Sequence, residues 1–482
     1  MERRTTGWHK AYTYILIGYA LCILLFYWIA HEQLNYLTEV TSPVSAQTTI
    51  GVVNDGTTVL QPYIPLKTHV LELELYMGPN GRENGGITHL ALMDGETVLG
   101  EASLDNTQVT KDDWYSFFFS EPVQVKEGQE ISLRVTASGV PEGQGITIFS
   151  GNGINTGRFT ISTQSSTFLV NGQTMLGSLC LRATERVALT AGKVYWPVSG
   201  IVALLLAFYL IILAKREREE KRSITLTAVM LIKQYRFLIG QLVSRDFKIK
   251  YKRSFLGVLW SFLNPILTMA VQYVVFSTLF KSSIENFPVY LMTGIVLFNF
   301  FTESVGLGLG SIVGNASLIT KVYMPKYIYP VTRVMSSGIN LVISLVPLLG
   351  MMAIMQVPFT KALLLMPLVL VFLMVFCIGM SLLLSTSMVF FRDTQFLWTI
   401  IALLWTYLTP IFYPESIIPA ALIKFYHMNP MYQFIYFMRC ITLGGISPGP
   451  ITYLYCTLCA FVPLLLGLWA FKKNQDKFVF YL

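Results

Sequence analysis

The sequence predicts a polytopic α-helical membrane protein, with about eight transmembrane helices and an inserted extracytoplasmic β-sandwich domain. Of its 482 residues, 53% are hydrophobic and only 13% are charged, whereas soluble domains carry roughly a quarter of their residues as charged side chains. Most of the apolar residues occur in long runs, but the region between the first two runs consists of short alternating segments. This composition excludes a soluble enzyme, a coiled coil and a disordered chain.

Eight apolar runs are about long enough to cross the roughly 30 Å hydrocarbon core of a bilayer as helices. These runs are 11–30, 194–214, 257–280, 288–311, 328–355, 362–391, 396–413 and 450–471. No small-residue cleavage site follows the first run, so we interpret 1–30 as a retained signal-anchor helix. The second run, 194–214, is the second transmembrane helix.

The distribution of basic residues predicts the orientation of these helices. Lys and Arg cluster in 1–10, 215–253 and 472–477, and cytoplasmic loops of membrane proteins are enriched in these residues. We therefore interpret the net charge of +8 as a sign of cytoplasmic loops, and we expect no nucleic acid partner. Both termini are predicted to be cytoplasmic, and 31–193 extracytoplasmic, in a multi-pass protein of the inner (cytoplasmic) membrane.

Residues 31–193 differ in pattern from the rest of the chain. Runs such as HVLELELYM (69–77) and EISLRVTA (130–137) alternate between apolar and polar residues, and turn signals such as DGE (94–96) separate them. Many short strands at this spacing predict a β-sandwich.

The function of this β-domain stays open at the sequence level. Its aromatic residues Tyr63, Trp114 and Tyr115 could form a sugar-binding platform, or they could belong to the core of the sandwich. The domain could bind carbohydrate, dock a partner or act as a spacer.

Residues 215–256 are predicted to form a basic amphipathic helix in the cytoplasmic interface, because apolar residues recur there at helical spacing opposite a basic face. Residues 257–482 form a core of six helices. Prolines 414, 419 and 430 interrupt an apolar stretch, which predicts short re-entrant outer helices at about 414–447.

Few motifs in the chain indicate chemistry. No GxxxxGK[ST] motif occurs, so we expect no nucleotide site in this chain. We also expect no cofactor, no metal site and no catalytic residue in it. Gly306, Gly310 and Gly314 recur every four residues, which favours close helix packing. Glu303 is an ionisable residue inside a predicted span, and it either has a functional role or faces a wet pore.

A basic cluster precedes the third apolar run. Its members are Arg245, Lys248, Lys250, Lys252 and Arg253. The cluster could be an ordinary cytoplasmic flank that orients the helix. It could also bind an anionic headgroup, since Lys and Arg are natural partners of phosphate.

Five blocks of sequence resemble the permease subunits of ABC-2 type polysaccharide exporters, the family of O-antigen and wall teichoic acid exporters. The blocks are DFKIKYKRSFLGVLWSFLNPILTMAVQYVVFSTLF, NFPVYLMTGIVLFNFF, GNASLITKVYMPKYIYPVTRV, FFRDTQFLWTIIALLWTYLTPIFYP and NPMYQFIYFMRCITLGG. The resemblance begins at about residue 231, so the first two helices and the β-domain depart from the common pattern of the family.

This resemblance implies a transporter rather than an enzyme. It implies a homodimer that pairs with two ABC ATPase subunits, which would carry ATP and Mg. The homodimer would move an undecaprenyl-diphosphate-linked glycan outward, and membrane lipids would be further partners. By the same resemblance, the basic cluster would contact the lipid diphosphate.

The resemblance also suggests two further sets of residues. The segment that would couple to the ATPase includes Asn315, Leu318, Lys321, Tyr323, Pro325, Lys326 and Tyr327. The aromatic residues that would line a sugar channel are Trp260, Phe298, Phe300, Trp398, Trp405 and Tyr407. Aromatic rings can bind the C–H faces of sugars, but each of these rings could equally serve helix packing or interface anchoring.

Two other functions are alternatives to polysaccharide export. One is an ABC exporter of a smaller lipid or drug. The other is a membrane sensor, because two helices that flank an outer β-domain also occur in receptors. A receptor does not need the six further helices of 257–471, which disfavours the sensor.

Overall fold

The computed structural model describes residues 8–40, 46, 48–79, 81, 83–141, 143–151, 167–218, 224–252, 254–280, 286–321, 324–414, 418 and 420–481. The chain divides into two compact units. We call Leu34–Lys193 the β-unit and the remainder of the chain the helical unit. Two of the predicted site residues, Arg253 and Tyr323, lie outside the described residues.

The helices belong mainly to the helical unit and follow the apolar runs of the sequence. They are α1 (Trp8–Asn35), α2 (Ala191–Arg218), α3 (Ile224–Tyr251), α4 (Trp260–Phe280), α5 (Phe287–Leu309), α6 (Ala316–Ile319), α7 (Ile328–Ile354), α8 (Met366–Phe390), α9 (Thr394–Leu408), α10 (Ala420–His427), α11 (Pro430–Thr442), α12 (Pro450–Asn474) and α13 (Phe478–Tyr481).

Seven helices among the described residues are long and apolar enough to cross a membrane, and together with the β-unit they confirm the predicted fold class. The structure differs from the expectation of about eight spans at 396–413, where α9 has 15 residues. A helix of that length measures about 22 Å, less than the roughly 30 Å hydrocarbon core. It ends because Thr409 is extended, with φ −104° and ψ 129°, as expected for the residue before Pro410.

The predicted close packing at Gly306, Gly310 and Gly314 needs correction. Helix α5 ends at Leu309, so the four-residue spacing does not continue along a single helix. A Cβ at Gly310 or Gly314 would meet no described atom within 4 Å, and one at Gly306 would make an ordinary 3.7 Å contact with Trp398.

Other glycines allow the helices to approach each other closely. A Cβ at Gly308 on α5 would lie 2.3 Å from the Ser381 Oγ atom of α8. A Cβ at Gly379 on α8 would lie 2.4 Å from the backbone nitrogen of Leu464 on α12. Gly308 and Gly379 therefore occupy positions at which α8 closely approaches α5 and α12.

The β-unit consists of thirteen described strands in two antiparallel sheets. The strands are β1 (Tyr36–Val40), β2 (Thr48–Val53), β3 (Thr58–Tyr63), β4 (His69–Gly78), β5 (Ile87–Asp94), β6 (Thr97–Asp105), β7 (Asp113–Gln124), β8 (Ile131–Ser138), β9 (Ile146–Gly151), β10 (Thr167–Val170), β11 (Gln173–Leu176), β12 (Ser178–Leu179) and β13 (Leu181–Ala188). One sheet has the order β1-β13-β4-β9-β12, with β2 on β9 and β7 on β4, and the other has the order β11-β10-β3-β8-β5-β6.

The core of the β-unit forms where inward-facing residues of the two sheets meet. In β8, Ile131, Leu133 and Val135 are buried and alternate with partly exposed residues, which is the pattern of a sheet with one face in a core. Tyr63 is also buried and donates its hydroxyl hydrogen to Glu185. Interpreting Tyr63 as part of an exposed sugar platform is therefore wrong.

Candidate functional site

The basic cluster at the end of α3 is divided between two faces of the helix. Each residue advances about 100° around an α-helix, so Arg245, Lys248 and Lys252 share one face, and Lys250 lies on the face that carries Asp246. The members of the cluster also differ in their partners.

The first member, Arg245, is held by an ion pair. Its Nε and Nη2 atoms lie 3.1 and 3.0 Å from Asp246 Oδ1, and Arg333 Nη1 of α7 lies 3.1 Å from Asp246 Oδ2. The Asp246 side chain is only 5% exposed. This carboxylate therefore joins α3 to α7 through Arg333, and it also engages Arg245 on its own helix.

Lys250 is also engaged, and its partner is the charged residue predicted inside a span. Its Nζ lies 2.8 Å from Glu303 Oε1 on α5. The same oxygen accepts hydrogen bonds from Ser337 Oγ at 3.2 Å and from Asn340 Nδ2 at 3.0 Å, both on α7. Tyr251 donates its hydroxyl hydrogen to Asn340 Oδ1 at 2.8 Å. Glu303 thus joins α3, α5 and α7 in one polar network.

Lys248 and Lys252 differ from these two residues. Both are exposed, and no side-chain hydrogen bond, ion pair or ring contact is found for them in the part of the chain that the structure describes. They are the free cations of the cluster among the described residues. A phosphate group could reach them without breaking an existing ion pair.

Beside the Lys250–Glu303 pair lies a cavity of about 260 Å³ between α3, α4, α5 and α7. Trp260 and Phe300, two of the predicted channel aromatics, line it. Its polar lining includes Asn264, Asn299, Glu303, Ser337, Asn340 and Ser344. Polar side chains on membrane-spanning helices are costly unless they face such a cavity or one another, so this arrangement marks the cavity as a candidate site.

The other predicted channel aromatics lie elsewhere. Phe298, Trp398 and Trp405 pack around Phe301, with ring centroids 5.6, 5.6 and 5.0 Å from its ring. These contacts place the three rings in the helix-packing core of this chain. Tyr407 is exposed on α9 and does not line the cavity.

The short helices after α9 are held by polar side chains. Arg439 of α11 donates from Nη1 to Pro410 O at 2.8 Å and from Nη2 to Ile411 O at 3.1 Å. Asn429 Oδ1 accepts from Met431 N at 3.0 Å and from Trp405 Nε1 at 2.7 Å. These bonds satisfy backbone groups where the chain leaves α9 and enters α11, so Arg439 has a structural role in this segment.

The first half of the predicted coupling segment consists of short turns and the four-residue helix α6. Asn315 is buried, and its Nδ2 donates to Ser311 O at 2.7 Å. Leu318 and Lys321 are exposed, whereas Tyr323 lies outside the described residues. This part of the segment therefore presents one apolar and one basic side chain at the surface of the described structure.

The second half of the segment packs against the end of the chain. Lys326 Nζ donates to Gln475 O at 2.6 Å and lies 5.9 Å from the centroid of the Phe478 ring. Pro325 is half-buried, and Tyr327 packs against the cluster that contains Phe478. The described residues of the segment are thus in contact with residues of α12, of α13 and of the turn between them.

The sequence analysis missed Asn264, Asn299, Ser337 and Asn340. A usable signal was present, because polar residues recur at helical spacing within apolar runs: Asn299 lies four residues before Glu303, and Ser337 three before Asn340. Such spacing places both members of a pair on the same face of a helix.

These residues lie in the part of the chain that is similar to known proteins. The family model described as ABC-2 type transporter matches residues 238–443. An O-antigen export system permease protein RfbA from Myxococcus xanthus is 37% identical over 186 residues, which are 38% of this chain and 71% of the relative. A protein of the same name from Klebsiella pneumoniae is 28% identical over 243 residues, which are 50% of this chain and 93% of the relative. The family match begins within α3, ends just after α11 and leaves the β-unit outside it.

Proposed function

Because the chain belongs to the ABC-2 type transporter family, we propose that it is the permease subunit of an ABC exporter for a lipid-linked polysaccharide. Its relatives are named as O-antigen export permeases. The substrate that we propose is an undecaprenyl-diphosphate-linked polysaccharide or a teichoic-acid-like polymer. The chain is a multi-pass membrane protein, and we assign it to the cytoplasmic membrane.

The observation that carries this proposal is the pair of free cations at the end of α3. Asp246 and Glu303 engage the side chains of Arg245 and Lys250. Lys248 and Lys252 stay exposed at the end of α3. Phosphate binding requires donors that no protein carboxylate already engages, and these two lysines meet that requirement.

The energy for export would come from a different subunit. Because the chain has no P-loop sequence, we propose that two ABC ATPase subunits bind ATP and Mg and act on a homodimer of this chain. The exposed part of the coupling segment, Leu318 and Lys321, is the surface that we assign to the ATPase contact. The contact of Lys326 with Gln475, the residue after α12, supports this assignment, because it connects the segment to the end of that helix.

We further propose that both termini lie in the cytoplasm and that the β-unit lies outside it. This orientation rests on the basic residues before α1, around α3 and after α12. It places Lys248 and Lys252 on the side where ATP is available and where a lipid-linked glycan would begin its crossing.

The proposal can be tested with the full chain and its co-purifying ATPase in proteoliposomes. Lipid-linked glycan should stimulate ATP hydrolysis. The double variant Lys248→Gln/Lys252→Gln should require a substrate concentration that is about tenfold higher or more, since a hydrogen bond to a charged group contributes about 1.5–3 kcal/mol.

A matched control removes the same number of charges from another basic stretch. Lys472→Gln/Lys477→Gln, at and beyond the end of α12, should leave the concentration dependence unchanged. If both double variants behave like the wild type, the α3 lysines serve only as a flank and the headgroup assignment fails.

A further inference from the structure

The cavity beside Glu303 carries two carboxamides whose N–H groups have no acceptor among the described residues. Asn264 and Asn299 line it, and both side chains are exposed. Within the described ranges, the only hydrogen bond to either carboxamide is a 3.4 Å contact from Thr268 Oγ1 to Asn264 Oδ1. Both residues belong to membrane-spanning helices, where an unpartnered amide is unfavourable unless it faces water or a ligand.

The charge of the cavity indicates which ligand it can take. Lys250 and Glu303 are paired at 2.8 Å, and no other Lys, Arg, Asp or Glu of the described residues lines the cavity. The formal charge that these described residues give the cavity is therefore zero. A diphosphate would find no surplus cation inside the cavity, whereas Lys248 and Lys252 on the other face of the same helix are free. A neutral group that both donates and accepts hydrogen bonds fits the amides, the hydroxyls and the paired charges.

The size of the cavity and its aromatic lining restrict the class of ligand further. Trp260 is 46% exposed and presents its ring beside the amide of Asn264, one helical turn along α4. Aromatic faces bind the C–H groups of sugars. The volume of about 260 Å³ lies just under the roughly 300–1,000 Å³ that is usual for drug-sized ligands. The cavity is therefore suited to a single ring rather than to an oligosaccharide.

We propose that this cavity binds one uncharged sugar ring of the substrate. The proposal rests on the function proposed above and deepens it. The permease would recognise the glycan lipid through two sites of different chemistry on opposite sides of the end of α3: a cationic face for phosphate, and a neutral cavity for a sugar.

The two sites can be separated by binding measurements on the purified full chain in detergent. The sugar probes are glucose, galactose, mannose, rhamnose and N-acetylglucosamine, observed by saturation-transfer difference NMR. A ligand of about twelve non-hydrogen atoms is expected to bind in the millimolar range. Inorganic pyrophosphate, observed by ³¹P NMR, probes the lysines.

We expect at least one of these sugars to bind the wild type and to lose about tenfold in affinity in Asn264→Leu and in Asn299→Leu. Both variants should keep pyrophosphate binding, which also shows that they are folded. The control Gln272→Leu makes the same kind of change two turns along α4, outside the cavity, and should not affect sugar binding. Lys248→Gln/Lys252→Gln should show the opposite pattern, with sugar binding kept and pyrophosphate binding lost.

Three results would overturn the inference: none of the five sugars binds the wild type, sugar binding survives in both asparagine variants, or these variants lose pyrophosphate instead of sugar. A loss of sugar binding in the asparagine variants supports the cavity even if the lysine variant keeps pyrophosphate, and that second result contradicts only the headgroup assignment.

Discussion

The β-unit and the helical unit each contain a carboxylate that accepts three hydrogen bonds, yet the two groups are used differently. Glu185 in β13 accepts from the Tyr63 hydroxyl, from Leu66 N at 2.7 Å and from Lys67 N at 2.8 Å. It is 1% exposed. Burial raises the pKa of the Glu185 carboxyl above its ordinary value, and this effect exceeds the lowering by these hydrogen bonds. Two of its donors are backbone groups of the loop between β3 and β4.

Glu303 in the helical unit has an open environment instead. Its side chain is 33% exposed, it borders a cavity, and all of its donors are side chains on other helices. The number of hydrogen bonds therefore does not distinguish a structural carboxylate from one in a binding site. The two kinds of carboxylate differ in their accessibility and in the type of their donors. A ligand can replace a side-chain donor at an accessible carboxylate, but it cannot reach a carboxylate that is buried beneath a loop.

The largest effect is expected from removing the sealed carboxylate. Glu185→Ala leaves two backbone N–H groups and a buried hydroxyl without their acceptor, which should destabilise the loop between β3 and β4 by about 3 kcal/mol. Hydrogen exchange of residues 64–68 in the full chain should accelerate by about a hundredfold.

The matched control is Glu96→Ala in the exposed turn between β5 and β6, which should leave the exchange of 64–68 unchanged. Equal exchange rates in Glu185→Ala and the wild type would mean that the carboxylate does not hold the loop, and the contrast between the two units would disappear.

A smaller effect is expected for the open pair in the helical unit. Lys250 and Glu303 are 41% and 33% exposed, so solvent screening limits their interaction to about 1 kcal/mol. Lys250→Met, Glu303→Gln and the double variant should form a thermodynamic cycle with a coupling free energy of about that size, measured from thermal unfolding of the full chain.

The ion pair between Lys111 and Asp113 of the β-unit provides the comparison. Its side chains are 74% and 42% exposed, and its coupling should be weaker than that of Lys250 with Glu303. Additive effects in the helical-unit cycle would show that the pair does not hold α3 to α5.

Much of the fold could be predicted from local pattern. The alternation in β4 and β8 and the turn residues between strands indicated a sandwich, and the apolar runs located the long helices. The resemblance to ABC-2 permeases, confirmed by the sequence comparisons, came from contiguous blocks. The predicted run continued to residue 413, but the early end of α9 could have been predicted, because the following proline restricts the backbone of Thr409.

The candidate site was harder to predict because it depends on contacts between distant residues. The basic cluster was visible as a charge run, but the partners of Arg245 and Lys250 come from α5 and α7, and no local pattern pairs Lys250 with Glu303, 53 residues away. Spacing likewise indicated Gly310 and Gly314 as packing residues, whereas contact geometry selects Gly308. Residue type identified the charged side chains of the basic cluster. Tertiary packing determined which of these side chains have an ion-pair partner.

If this chain exports a glycan, cells that lack the chain should retain that glycan inside, and labelling of the cell surface measures this directly. Deleting its gene in the source organism should leave the polymer synthesised but inaccessible to a membrane-impermeant label, and a plasmid copy of the wild type should restore surface labelling. If the deletion strain presents the polymer at the wild-type level, the chain is not the exporter and the account is contradicted.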